Sequence, residues 1–171
     1  MSYVTKIDTL GVTGQRPKSL GLGAFDPKHP VWLDAYSFVQ LSLNRIRPSR
    51  LVSGGALGFD MIAGKAAIDA DVPLVLALPF EGYDSWGAKD KRRLSWLRER
   101  ACEEFFVCDP GYAPWKYQRR NEAIVERSDY MLAFWNGGRG GTANCLEAAK
   151  SAGVGYHAYT PRLDLLDMVP A

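Results

Sequence analysis

The feature that most constrains this chain is a regular alternation of short apolar runs with stretches of helical length. The runs cover residues 7–13, 50–53, 73–78, 104–108, 130–135 and 154–159. Each is bounded by Gly, Pro or Asp and is too short for an independent helix, so each is expected to be a strand buried on both faces. Between them, residues 31–46 carry Leu33, Tyr36, Val39 and Leu43 at helical spacing, and residues 57–70 repeat the pattern with Phe59, Ile62, Ala63, Ala66 and Ala70. Further helices are expected over 89–101, 115–127 and 142–152. Strand followed by helix, repeated five times, specifies an α/β fold, a Rossmann-like parallel sheet with helices on both faces. At 171 residues the chain is expected to form a single domain with its core over 7–159 and a short C-terminal tail over 160–171.

Composition narrows the class further. Hydrophobic residues make up 47% and charged residues 23% of the chain, the balance of an ordinary globular protein rather than a disordered one. No apolar run approaches the roughly 18 residues of a membrane span, and the N-terminal residues lack the basic-then-apolar order of a signal peptide. A cytoplasmic protein with no membrane partner is expected. Cys102, Cys108 and Cys145 form no C-x-x-C pair, which points to reduced thiols, and with only His29 and His157 beside them no metal site is expected. The formal charge of +2 conceals an asymmetry: residues 89–100 hold six basic and two acidic side chains, net +4, leaving −2 for the rest.

In parallel sheets ligands sit beyond the C-terminal strand ends, and three of those junctions are rich in glycine: 13–17, 53–60 and 136–142. Glycine there lets backbone N–H groups approach and point at a ligand, and a helix N-terminus adds roughly half a positive charge, an arrangement suited to phosphate. The bland alternative is that these glycines make tight turns. The connection over 14–30 is long, as functional loops often are. Neither the Walker pattern nor G-x-G-x-x-G is present, since Gly21 and Gly23 are followed by Asp26, and Gly138 and Gly140 by Ala143. Ser53 is not in a G-x-S-x-G elbow, because position 51 is Leu.

Individual side chains sharpen this reading. On a helix over 115–127, Arg120 and Asn121 share a stripe with Tyr117 and Ile124 and with no acidic residue, so the guanidinium needs a carboxylate from elsewhere in the fold or a phosphate. Asp60 falls in the first turn of its helix, either favouring the helix dipole or accepting a ribose hydroxyl. Thr142 is placed to cap its helix and to offer its hydroxyl to a phosphate. Trp135, at a strand end before a glycine loop, is a candidate platform for a base. Cys145 falls on an apolar helical face and reads as a small core residue.

Taken together, Thr13-Gly14-Gln15-Arg16-Pro17 with Leu20-Gly21, Ser53-Gly54-Gly55-Ala56-Leu57-Gly58-Phe59-Asp60, Leu78-Pro79-Phe80-Glu81, Arg120-Asn121, and Phe134-Trp135 leading to Gly140-Gly141-Thr142-Ala143-Asn144-Cys145 resemble the SLOG superfamily. The likeness is to its bacterial and phage branch related to YpsA and YspA, and it runs in order from about residue 7 to 159. The resemblance implies a Rossmann-like sheet whose phosphate-binding loops hold nucleotide-derived ligands, including ADP-ribose or NAD-like molecules, with no cofactor required. It directs attention to Gly14, Gln15 and Arg16; to Ser53, Gly54, Gly55 and Asp60; to Pro79; to Arg120 and Asn121; to Trp135; and to Gly140, Gly141 and Thr142. Gln15 departs from the pattern, since relatives of this branch usually show His there.

Two relatives supply rival functions. The LOG phosphoribohydrolases pair a helical Arg with a Glu three residues after the Thr of a G-G-x-G-T motif; Arg120 matches the Arg, but Cys145 stands at the Glu position and Glu147 is about 200° further around the helix. A hydrolase of a nucleotide glycosidic or phosphate bond would then rest on Arg120 alone. DprA, which handles single-stranded DNA, has similar Ser-Gly, Gly-x-Asp and Arg-Asn elements, and here Lys89, Lys91, Arg92, Arg93, Arg98 and Arg100 could serve single-stranded nucleic acid, with Trp96 on the face of Arg92 and Arg100. The alternative is a solvated helix face. The expected partner is a small phosphate-bearing nucleotide, with a homo-oligomer left open.

Overall fold

The computed structural model describes residues 6–168. Strands β1 (Thr9–Gly14), β2 (Arg50–Ser53), β3 (Leu74–Leu78), β4 (Glu103–Phe106), β5 (Tyr130–Phe134) and β6 (Gly155–Tyr159) form one sheet in the order β4-β3-β2-β1-β5-β6. Every neighbouring pair is parallel, with Leu10 opposite Leu51 on one side of β1 and opposite Tyr130 on the other. The connecting helices are α1 (Pro30–Ile46), α2 (Phe59–Asp69), α3 (Ala88–Arg100), α4 (Trp115–Arg127) and α5 (Gly141–Ser151), followed by a single turn, α6 (Leu163–Leu166).

Alternation along the strands divides the core in two. Leu74, Leu76 and Leu78 of β3 face one layer, where Trp32 and Phe38 of α1, Phe59 of α2 and Leu94 and Leu97 of α3 pack. Val75 and Ala77 face the other, with Ile124 of α4 and Cys145 of α5. Helices α1 to α3 therefore cover one face and α4 and α5 the other. From β1 the chain steps outward to β4, then returns through α4 to the opposite side of β1 and continues to β6. The order reverses between β1 and β5, and the crevice beyond their C-terminal ends is the place such a sheet offers a ligand.

The helix boundaries have local causes. The first helix has Pro30 at its first position and His29 as N-cap, whose Nδ1 accepts from the Val31 amide at 3.2 Å. Helix α2 starts at Phe59 rather than at residue 57 because Gly58 takes φ 94°, outside helical space.

Burial on both faces holds for the inner strands and fails at the edges. Glu103, Glu104 and Phe106 of β4 and Gly155, Tyr156 and His157 of β6 are exposed, because an edge strand has a neighbour on one side only and the helices are centred over the inner strands. The long connection over 14–30 contains a 3-10 turn, Pro17–Leu20, and buries Leu20 and Phe25. The tail carries α6, whose Leu165 and Leu166 pack half-buried against the core.

Candidate functional site

At the reversal of strand order lies a cavity of about 340 Å³. Thr13 and Gly14 at the end of β1 and Gln15, Arg16, Lys18 and Ser19 beyond it form one wall. Ala56 and Asp60 come from the β2–α2 segment, Tyr117, Arg120 and Asn121 from α4, and Gly141 and Thr142 from α5. The 3-10 turn begun by Pro17 brings Lys18 and Ser19 back over the strand end; its last amides bond inward, Gly21 N–H to Lys18 O at 3.1 Å.

Two groups in this wall can attract an anion. Arg16 and Lys18 are exposed and form no ion pair with a described residue; the Arg16 guanidinium stands 5.4 Å from the Tyr117 ring centroid. The second is the N-terminus of α5. Gly140 is its N-cap, at φ 137°, a conformation glycine adopts without strain, and no side chain caps the helix. The first amide to bond back is Asn144 N–H, to Gly140 O at 3.0 Å, so the amides of 141–143 are free of helical partners. Thr142 does not cap α5 as expected: it stands two residues past the N-cap, inside the helix, where its hydroxyl cannot replace a cap at 140.

Asp60 and Arg120 form the floor. They are 6% and 4% exposed. The Arg120 guanidinium donates through Nη1 to Gly54 O and through Nε to Asn121 Oδ1 at 3.0 Å, and Asn121 Nδ2 donates to Gly141 O at 3.3 Å. This chain of hydrogen bonds ties the β2–α2 turn to the start of α5 across the crevice. Within the protein the acceptors of Arg120 are thus a carbonyl and an amide oxygen rather than a carboxylate; Asp60 supplies charge compensation without forming an ion pair within 4 Å. The guanidinium lies so close to Gly54 that a Cβ there would fall 2.5 Å from Nη1.

The Asp60 carboxylate accepts from the Ala56 amide at 3.2 Å. Burial raises its pKa above the ordinary carboxylate value, opposed by Arg120, the Ala56 hydrogen bond and Arg16. Burial likewise lowers the Arg120 pKa, opposed by Asp60 and assisted by Arg16. Tyr83, buried beside them, donates its hydroxyl to Gly55 O at 2.8 Å, and burial moves its pKa upward.

Of the residues singled out in the sequence, Gly14, Gln15, Arg16, Asp60, Arg120, Asn121, Gly141 and Thr142 meet around this cavity. Ser53, Gly54, Gly55, Pro79, Trp135 and Gly140 do not line it. Ser53 Oγ, fully buried, donates to Asp60 O at 2.9 Å and accepts from Gly55 N–H at 3.3 Å, which makes it a brace for the turn. Pro79 is buried and its carbonyl accepts from the Cys108 amide at 2.9 Å. Trp135 donates its indole N–H to Gly138 O at 2.8 Å and so steadies the glycine loop; the aromatic ring on the cavity wall is Tyr117.

Gln15 clips the loops after β1 and β5 together, donating to Asn136 Oδ1 at 2.7 Å and accepting from Asn136 N–H at 3.1 Å. An amide, with one donor and one acceptor end, does this without titrating. Cys145 is fully buried and its thiol is pushed up to about 11 by burial, the opposite of what a nucleophile needs. Sequence reasoning missed Thr13, Lys18, Ser19 and Ala56 as lining residues, and treated Tyr117 as core. The available signal was Pro17, which starts helical turns and predicts that the residues after it fold back over the strand end.

No family model matches the chain. Among curated proteins it is 29% identical over 127 residues to an uncharacterized SPbeta prophage-derived protein, YoqJ, of Bacillus subtilis (strain 168), a match covering 64% of this chain and 74% of that protein. Solved structures share the fold. The likeness to DNA processing protein A from Helicobacter pylori, described for its single-stranded DNA binding mode, has a TM-score of 0.66 at 15% identity and covers 92% of this chain and 67% of that one. DNA processing protein A (DprA) from Streptococcus pneumoniae gives 0.64 at 20% identity, over 94% of this chain and 53% of that one. The structural-genomics target TM1055 gives 0.57 at 18% identity, over 87% of this chain and 72% of that one. The Rossmann-like reading made from the strand–helix alternation agrees with these structures at the level of fold.

Proposed function

We propose that this chain binds a nucleotide-derived ligand, a nucleoside phosphate or an ADP-ribose or NAD-like molecule, in the cavity between the ends of β1 and β5. One observation carries the reading: a single cavity of about 340 Å³ brings together two cations that form no ion pair with a described residue, an uncapped helix N-terminus and a buried carboxylate. Cations and free amides suit phosphate, whereas the Asp60 carboxylate would repel phosphate and suits a hydroxyl donor such as ribose. Tyr117 puts an aromatic ring on the cavity wall, with the Arg16 guanidinium 5.4 Å from its centroid. No cofactor enters this reading. Binding is favoured over glycosidic cleavage because the residue at the LOG-type Glu position is the buried, protonated Cys145. The SLOG-type motifs that converge on the cavity support the same ligand class.

Isothermal titration with AMP, ADP-ribose, NAD and cyclic dinucleotides tests it at protein concentrations of about 100 µM, where affinities down to that range register. Saturable heat with at least one, lost in Arg16→Ala/Lys18→Ala, is the expected result. Absence of heat with all four rejects the reading.

A second reading, single-stranded nucleic acid on α3, is favoured by the net +4 of residues 89–100 and by the fold shared with DprA. It requires an affinity that falls steeply with salt and weakens in Arg92→Ala. A shift insensitive to either removes it.

A further inference from the structure

A second cavity, of about 500 Å³, lies apart from the switch-point crevice, between α2 and α3. Its floor is apolar: Met61 and Ile62 from α2, Trp96 and Leu97 from α3, with Phe25 and Pro27 of the long β1–α1 connection closing one end. Its remaining lining is Lys65, Lys89, Arg92 and Arg93, so every charged group on it is a cation. Lys65 is paired with Asp69 at 2.6 Å and Arg93 with Asp90 at 2.7 Å. Lys89 and Arg92 are exposed, and their side chains form no ion pair with any described residue.

We propose that this cavity is a separate binding site for a small amphipathic organic anion, an apolar or aromatic body carrying one carboxylate, sulfonate or phosphate. Its volume is in the range that takes a small organic molecule rather than a protein segment. A recessed apolar floor is best removed from water by an apolar body, and the two unpaired cations beside it complement one anionic group.

A nucleic-acid strand fits less well, because strand binding needs aromatic faces open for stacking. The Arg100 guanidinium already lies 4.2 Å from the Trp96 ring centroid, with the Lys65 ammonium 5.6 Å away. Phe25 is buried, edge-on to Trp32 at 5.6 Å, with Arg93 5.5 Å from its ring. The aromatic rings that line the cavity thus already have cations beside them. This inference does not rest on the nucleotide reading, since the two cavities share no lining residue.

The test uses the whole chain and the dye 8-anilinonaphthalene-1-sulfonate, an aromatic body with one sulfonate, beside its uncharged relative N-phenyl-1-naphthylamine. Fluorescence titration is expected to saturate at about one sulfonated dye per chain, with the uncharged compound binding about 10-fold more weakly. Lys89→Ala and Arg92→Ala are each expected to weaken the dye about 2–5-fold and the double variant about 10-fold, as partly solvated ion pairs do. Arg92→Lys keeps most of the affinity, and Arg16→Ala leaves it unchanged. Circular dichroism and unfolding midpoints establish that the variants are folded. Non-saturable binding, equal affinity for the uncharged dye, indifference to the double variant, or loss in Arg16→Ala each overturns the proposal. Displacement of the dye by a ten-residue thymidine oligonucleotide, itself lost in the double variant, also overturns it by assigning the groove to nucleic acid. Failure of the nucleotide titrations leaves these outcomes untouched, so the two readings fail separately.

Discussion

Replacing Arg120 with Met is the sharpest probe of the crevice. The guanidinium is 4% exposed and makes two hydrogen bonds, to Gly54 O and to Asn121 Oδ1. Hydrogen bonds from a charged donor contribute about 1.5–3 kcal/mol each, and Met replaces much of the apolar stem, so the two bonds together account for about 3–6 kcal/mol. Arg120 is also the strongest group opposing the burial of the Asp60 carboxylate, which the variant leaves without its largest compensation. Removing one member of a buried charged arrangement costs about 3–5 kcal/mol in other proteins, so a loss of at least about 3 kcal/mol is expected.

Urea unfolding followed by circular dichroism at neutral pH measures it, and adding Asp60→Asn to Arg120→Met is expected to restore about 1–3 kcal/mol by removing the stranded charge. The pH dependence has a defined sign. Burial raises the folded-state pKa of Asp60, so its penalty is absent below the ordinary carboxylate value, where folded and unfolded states are both protonated, grows as pH rises from that value toward the raised one, and is constant above it. Without Arg120 that value moves further up. The loss in Arg120→Met is therefore larger at alkaline than at acidic pH. A loss below about 1 kcal/mol, no rescue by Asp60→Asn, or a loss that grows on acidification would refute the coupling.

Other outcomes follow from the same geometry. Gln15→Leu removes both hydrogen bonds to Asn136 and is expected to cost about 1–2 kcal/mol in urea unfolding, with faster exchange of the Asn136 amide; unchanged exchange would show that the clip does not hold the loop. Cys145, fully buried with its thiol near 11, is expected to react with Ellman's reagent at pH 8 only through unfolding, about 10³-fold more slowly than exposed Cys102. Comparable rates for the two thiols would contradict the packing of α5 on the sheet.

The elements were largely legible because their signals are local. Periodicity and bounding Gly, Pro and Asp residues located all six strands and the five long helices to within a few residues. Misjudged boundaries trace to single backbone positions, such as Gly58 at φ 94° delaying α2. Eight of the singled-out site residues converge on one cavity because strand-end glycines and the Arg120–Asn121 pair carry geometric constraints that read along the chain.

What remained hidden depends on contacts between distant segments. Whether Arg120 bonds a carboxylate or a carbonyl of the protein is decided by where the β2–α2 turn, 66 residues away, comes to rest. Gln15 acts on Asn136 across 121 residues, and Trp135 turns to Gly138 rather than to the cavity. The second cavity forms only where Phe25, α2 and α3 meet. By itself the sequence determined the order of elements, the parallel sheet and the edge on which a site must lie, since hydrophobic periodicity and glycine geometry act between near neighbours. Tertiary structure alone decided which side chains brace the loops and which face a ligand, because a hydrogen bond has a partner only after packing has brought the two groups within about 3 Å.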